Sequence, residues 1–308
     1  MISTFNEWDP LKSIVVGTAT NANWPRTDPV FYNEMTHSSW TETQFQFGPV
    51  DTKVVEEANI DLEILCDALR SLGVEVLRPS DYNFVYNLGL YNYCPRDRLL
   101  IYGDTVVDVN MMYPCRDQEI QCLQTVIDRA NRVITMPRDQ GMILDAANVL
   151  RLNDHWLFLE SASGNIQAYE WLSEQFPDVK IELCNFYAGV HIDSTITPLR
   201  EGLVLLNGDR VKAQNCPAVF DNWDKIYVHE VVPQQFHHFP YASKWIAMNM
   251  LVVDPHTVIV DAAQTDLIHT LINHKFNVIP LVLRHSRTLG GGFHCVTLDL
   301  IRAEAINN

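Results

Sequence analysis

Five residues of this chain have types and settings that suit them to chemistry together: Cys295, His191, Asp97, Asp145 and Asp193. Cys295 lies in the stretch Leu289-Gly290-Gly291-Gly292-Phe293-His294-Cys295-Val296-Thr297. Its three consecutive glycines free the backbone to take positive φ and to lie close to a neighbour. A Gly-rich bend presenting one thiol at the start of a strand would place a nucleophile at the floor of a pocket. The plainer reading is a tight turn carrying an ordinary buried cysteine. The other four residues occupy the same kind of position. Cys94-Pro95-Arg96-Asp97, Leu144-Asp145-Ala146-Ala147-Asn148 and Val190-His191-Ile192-Asp193-Ser194 each run directly into an apolar β-run. Singly, each is explained as a turn-forming aspartate or a satisfied histidine. All five at one structural address point to a site. His191 and Asp193 are further expected on one face, because alternate residues of a strand point the same way.

A cysteine thiolate is a nucleophile. A histidine can hand a proton to a leaving amine and take one from an incoming group. Three carboxylates beside a thiolate would raise its pKa unless a cation lies among them. A guanidinium is such a cation, planar, permanently charged and held bidentately by carboxylates. The carboxylates are not joined by the several His or Cys residues that a transition metal favours, so no metal and no cofactor are expected. The set reads as one for covalent attack on a guanidinium carbon.

Composition narrows the partners. The chain has 308 residues, 47% hydrophobic and 19% charged, enough for a sizeable core. With 38 acids against 22 bases its net charge is −16, which argues against nucleic-acid binding and suits a small cationic or zwitterionic substrate. The seven cysteines are dispersed without a CxxC pair, the pattern of reduced thiols in a cytoplasmic protein. The first ten residues lack the basic-then-apolar run of a signal peptide, and no apolar stretch is long enough to span a membrane.

The elements that must position these residues form a recurring unit. Leu11–Gly17 and Val74–Leu77 read as strands, with an amphipathic helix over 54–72 between them and Gly73 at its C-terminal cap. Residues 18–50, rich in Asn, Pro, Thr and aromatics without periodicity, read as a long loop or lid. Hairpins follow at 99–107, 148–159, 195–206 and 250–260, the third through a turn at Pro198–Gly202. Helices are expected near 117–131, 165–175 and 264–273, with strands at 132–135, 179–183 and 278–282. A repeat of about fifty residues suggests radially arranged modules. No linker interrupts them, so residues 1–308 are expected to form a single catalytic domain of four or five ββαβ-type modules.

At this point the sequence resembles the amidinotransferases of the guanidine-modifying (pentein) superfamily, glycine amidinotransferase in particular. The resemblance rests on Asn6-Glu7-Trp8-Asp9-Pro10-Leu11, Val15-Val16-Gly17, Pro95-Arg96-Asp97, Asp145-Ala146-Ala147, His191-Ile192-Asp193, Ser243-Lys244-Trp245 and the block ending in Cys295, and so runs through nearly the whole chain. It implies an α/β pentein fold, a five-bladed propeller of ββαβ modules with pseudo-fivefold symmetry and the active site on its axis. It implies Cys295 as the nucleophile that takes the amidino group, His191 as general acid and base, and Asp145 as its partner carboxylate. Asp97 and Asp193 are implied as guanidinium clamps, Arg210 as the grip on the donor's α-carboxylate, and Ser243 as a further substrate contact. The implied reaction is ping-pong transfer from L-arginine to an acceptor amine with release of ornithine, and a homodimer is compatible with it.

Two departures from the glycine enzyme stand out. Asn148 replaces the second aspartate of its Asp-Ala-Ala-Asp motif, and Ala188-Gly189-Val190 replaces Asn-Pro-Met before the histidine. The chain between Asp97 and Asp145 is also shorter than in the vertebrate-type enzyme. These changes are expected to surround the acceptor's route, so the acceptor is expected to be bulkier than glycine. The main alternative is a guanidine hydrolase, arginine deiminase or dihydrolase-like, discharging the same cysteine to water. Its relatives usually read Glu-Gly-Gly-Asp where this chain reads Asp145-Ala146-Ala147-Asn148, which favours transfer. A binding protein retaining the fold is disfavoured, because none of the five groups is missing.

Overall fold

The computed structural model of the chain describes residues 1–37, 45–186, 189 and 191–303. Its strands form five three-stranded sheets of one plan, with a small two-stranded pairing besides. In each of the five, a first strand pairs antiparallel with a second, and a crossover leads from the second to a third strand parallel to it. Four of these modules are continuous in sequence: Leu99–Tyr102, Thr105–Asp108 and Arg132–Thr135; Val149–Leu152, His155–Leu159 and Lys180–Cys184; Ile196–Arg200, Leu203–Asn207 and Asp224–Val228; Leu251–Asp254, Thr257–Asp261 and Asn277–Leu281. The fifth is split between the two ends of the chain. Thr297–Arg302 pairs antiparallel with Leu11–Val16, which pairs in parallel with Glu75–Leu77. Its first and second strands are therefore nearly the whole sequence apart, and their pairing closes the ring.

The first strand of each module is almost wholly buried, as in the run VLRL of Val149–Leu152, whereas third strands such as Arg132–Thr135 are largely exposed. Apolar hairpins thus face the centre, and the crossover segments cover the outside. The split module's crossover is the helix Thr52–Ser71, capped by the Asp51 side chain, which accepts from Lys53 N–H, and followed by Gly73 at φ +80°.

Three sequence expectations change. The helix near 117–131 is instead a 3-10 segment, Pro114–Leu123, followed by one α-turn, Gln124–Ile127. Three residues per turn eclipse positions i and i+3, which stacks Arg116 on Glu119. Pro198 lies within a strand, not in a turn, at a register irregularity that tolerates its missing N–H. Residues 18–50 are not all loop: Asn23–Trp24 pairs with Gly48–Pro49, and Pro29–His37 is a helix whose first turn is capped by Asp28. Residues 38–44 of that stretch lie outside the described residues. Among the described residues, no helix is long and apolar enough to cross a membrane.

Candidate active site

A short turn opens each module at its central end. Pro95–Asp97, Ala146–Asn148, Ile192–Ser194 and Lys244–Met248 are 3-10 turns, and Phe293–Val296 forms a further turn before the last strand. Neighbouring turns touch one another in ring order, and Thr297–Arg302 meets Pro95–Asp97 to close the circle. This explains the shared address of the five residues. It also corrects one step of the sequence argument. Asp193 lies in a 3-10 turn after the extended His191, so the strand rule of alternate residues does not apply to this pair.

Cys295, His191, Asp97, Asp145, Asp193, Arg210 and Ser243 all line one cavity of ≈ 380 Å³. Cys295, Asp97, Asp145 and Asp193 are buried, and His191 is partly exposed to the cavity. One sulfur, nitrogen or oxygen atom from each of Cys295, His191 and Asp97 lies within 4.8 Å of the other two. That spacing suits a nucleophile, an acid–base group and a carboxylate sharing one small planar substrate.

The glycines have separable tasks. Gly290 takes φ +81° to end the short helix Ser286–Leu289, a conformation that side-chain-bearing residues rarely adopt. A Cβ on Gly291 would stand 2.5 Å from Cys94 Sγ, and one on Gly292 would stand 2.6 Å from Asn249 Cβ. Asn249 in turn fixes the Cys295 backbone. Its Oδ1 accepts from His294 N–H at 2.9 Å and Cys295 N–H at 3.0 Å, while its Nδ2 donates to the Asp193 carbonyl at 3.3 Å.

The carboxylates are not equivalent. Asp145 is committed through both oxygens: Oδ1 accepts from Met112 N–H at 3.0 Å, and Oδ2 lies 3.0 Å from His191 Nε2. Asp97 Oδ2 accepts from Arg116 at 2.9 Å, while its buried Oδ1 has no hydrogen-bond partner among the described residues. Asp193 Oδ2 accepts from the Cys295 thiol at 3.2 Å and lies 2.8 Å from His294 Nδ1.

Charge follows from this wiring. Burial alone would lower the His191 pKa, but the Asp97 charge, the hydrogen bond to Asp145 and the charges of Asp145 and Asp193 raise it to about 9. Burial raises Asp97, against His191 and Arg116. Burial would also raise Asp193, yet the hydrogen bond and charge of His294 bring it down to about 2. Cys295 is pushed well above the ordinary thiol value, first by burial and then by the Asp193 charge. Both effects favour the Cys295 thiol, and a cation beside it would favour its ionisation.

Arg210 donates to Ser194 Oγ at 3.2 Å and Thr195 Oγ1 at 2.8 Å, which sets its guanidinium at the cavity wall. Ser243 caps the turn Lys244–Met248, its Oγ accepting from Trp245 N–H. Asn148 does not line the cavity. It is buried, its Nδ2 donating to Ser163 Oγ at 2.8 Å. Gly189 lines the cavity, whereas Ala188 and Val190 lie outside the described residues.

Sequence reasoning missed Arg116 and Glu119. Arg116 is buried in the cavity wall, paired through Nε and Nη2 with both oxygens of Glu119 and through Nη1 with Asp97, and 3.9 Å from Asp145. These carboxylates outweigh the opposing effect of burial and hold its guanidinium firmly charged. The signal was an arginine and a glutamate three apart after a proline, which a helical reading of 117–131 hid.

No protein-family model matches the chain. Among known proteins it is 37% identical to inosamine-phosphate amidinotransferase 1 of Streptomyces griseus, over 98% of this chain and 97% of that one. The solved inosamine-phosphate amidinotransferase from the same organism superposes with a TM-score of 0.91 at 36% identity, over 99% of this chain and 98% of that one. Mitochondrial glycine amidinotransferase of Gallus gallus is 28% identical over 98% of this chain and 83% of its own length. DDAH from Pseudomonas aeruginosa, at 15% identity and a TM-score of 0.67 over 94% of this chain and all of that one, shares the fold. With five turns converging on one cysteine-bearing cavity and this similarity along almost its full length, the chain belongs to the amidinotransferase family of the pentein superfamily.

Proposed function

We propose that the protein moves the amidino group of L-arginine through a covalent amidino-Cys295 intermediate to an acceptor amine, releasing ornithine. The observation that carries this reading is the convergence of Cys295, His191 and Asp97 on one point of a cavity that also holds Arg210. The arginine guanidinium sits among Asp97 and Asp193, where Asp97 Oδ1, 3.6 Å from His191 Nδ1 and accepting no hydrogen bond among the described residues, can take an N–H donor. Its positive charge favours the Cys295 thiolate. Sulfur attacks the guanidinium carbon, and the bond from that carbon to the donor's Nε breaks. His191, already protonated, gives its proton to the departing ornithine amine. Arg210 grips the donor's α-carboxylate, and Ser243 contributes a further contact. In the second half, an acceptor amine attacks the amidino carbon, passes a proton to His191 and expels the thiolate.

The acceptor in this reading is bulkier than glycine. Gly189 leaves room beside His191, and Met35, Phe239 and Ile246 give the cavity an apolar side. The inosamine-phosphate amidinotransferases, 37% identical to this chain, are named for a compound larger than glycine. The test is mass spectrometry of products from arginine with and without a panel of amines. Ornithine and a guanidino product that appear only with an acceptor support transfer. Citrulline or ammonia from arginine alone would replace this reading with the hydrolase.

A further inference from the structure

Behind Cys295 the ring is filled by a buried polar column. His294 Nδ1 lies 2.8 Å from Asp193 Oδ2, the atom that accepts the Cys295 thiol, and His294 Nε2 lies 3.4 Å from Glu7 Oε2. Glu7 is held by Arg151, whose Nε and Nη2 donate to its two oxygens at 2.8 and 2.9 Å, and faces Arg96 at 3.7 Å. Asp299 joins Arg96, Arg151 and Arg302 below. All of these side chains are buried, and Arg96 Nε also donates to the His294 carbonyl at 2.8 Å. They come from the N-terminal segment, three of the module-opening turns, the second module's first strand and the closing strand. The column therefore depends on the ring being complete.

Both His294 ring nitrogens face carboxylate oxygens, which only accept, so the geometry fits a ring that donates from both nitrogens, an imidazolium. The charges then show what the column lacks. Four cations, Arg96, Arg151, Arg302 and the imidazolium, meet three carboxylates, Glu7, Asp299 and Asp193, so the column as a whole is short of one negative charge. The nearest group that can supply one is Cys295, as its thiolate. On the cavity side the sulfur faces Asp97 and His191.

We propose that His294 is a positioning residue of the transfer reaction: held as an imidazolium between Glu7 and Asp193, it fixes the Asp193 carboxylate against the Cys295 sulfur and supplies the buried positive charge that balances the thiolate. Ionisation breaks the S–H bond, leaves the electron pair on sulfur and sends the proton out through the cavity to solvent. The inference rests on the reading of Cys295 as the nucleophile.

The test is the pH dependence of Cys295 alkylation by iodoacetamide in wild type and His294→Asn, read by mass spectrometry of the Cys295 peptide, together with kcat and KM for arginine. In the variant the thiolate should form at higher pH by one unit or more, about tenfold slower alkylation at a given pH. Its kcat should fall more than its KM rises. An unchanged alkylation profile in the folded variant would overturn the proposal, since a merely structural role lowers thermal stability without moving that profile. Should the variant not fold, ¹⁵N NMR of wild-type histidines decides, with Glu7→Gln assigning the His294 resonances. Both ring nitrogens protonated at neutral pH is the expected result, and a neutral His294 ring would overturn the proposal. Turnover retained by Cys295→Ala would instead overturn the nucleophile reading, a distinct outcome.

Discussion

Asp145 takes the Nε2 side of His191 at 3.0 Å and leaves Nδ1 facing Asp97, 3.6 Å away. A histidine held between two carboxylates is stabilised as a cation, and the proposed transfer uses it as an acid before it acts as a base. Leucine or valine neighbours would have left it neutral.

This relationship has a measurable sign. The His191 pKa rises on folding from 6.5 to about 9, so its contribution to stability is fully present below 6.5 and is lost as pH rises through about 9. Thermal unfolding of the wild type should therefore show Tm falling across that window, through a contribution of at most about 3 kcal/mol. His191→Asn should flatten this part of the profile. Identical pH profiles for the two proteins would contradict the assignment.

The clamps should act on the donor. Asp97→Asn or Asp193→Asn replaces a charged acceptor by a neutral group beside a cation, and kcat/KM for arginine should fall about 10²-fold, the order of one charged hydrogen bond. Unchanged arginine kinetics would make both residues turn formers and nothing more.

Much of this was legible in the sequence because the relevant signals are local. The apolar runs before and after Asn153-Asp154, or around Gly103-Asp104, mark hairpins within a dozen residues, and their repetition revealed modules. The fifth module was not legible, because Leu11–Val16 finds its antiparallel partner at Thr297–Arg302. No short-range pattern records such a pairing. The five polar residues could be grouped by their positions before β-runs, but their separate wiring could not. That Asp145 spends both oxygens on Met112 and His191, while Asp97 keeps one oxygen without a hydrogen bond among the described residues, depends on side chains that meet only in the closed ring.

Arg116 was missed for a similar reason, and it carries its own prediction. Arg116→Met leaves Glu119 and Asp97 as buried carboxylates without their cation, and should cost about 3–5 kcal/mol of stability. Arg116→Lys retains the charge but not the two-pronged contact with Glu119, so it should cost less while still lowering arginine turnover. Chemical denaturation of both variants measures this. A Met variant as stable as wild type would show that the pair is dispensable.

Acceptor choice is read from kcat/KM for glycine, β-alanine, 4-aminobutyrate and lysine at fixed arginine. The longer amines should exceed glycine, because a small pocket rejects overfilling strongly and a missing methylene only weakly. A clear preference for glycine over every longer amine would mean that the space beside Gly189 is not the acceptor's route.

The central claim is the covalent intermediate on Cys295. Wild-type protein mixed with arginine, acid-quenched without acceptor and digested should carry one amidino group on the Cys295 peptide, with one ornithine released per site. Adding an acceptor amine should discharge the adduct into a guanidino product, and Cys295→Ala should form neither adduct nor product while still binding arginine. Turnover by Cys295→Ala, or an amidino group found on a different residue, would contradict the account.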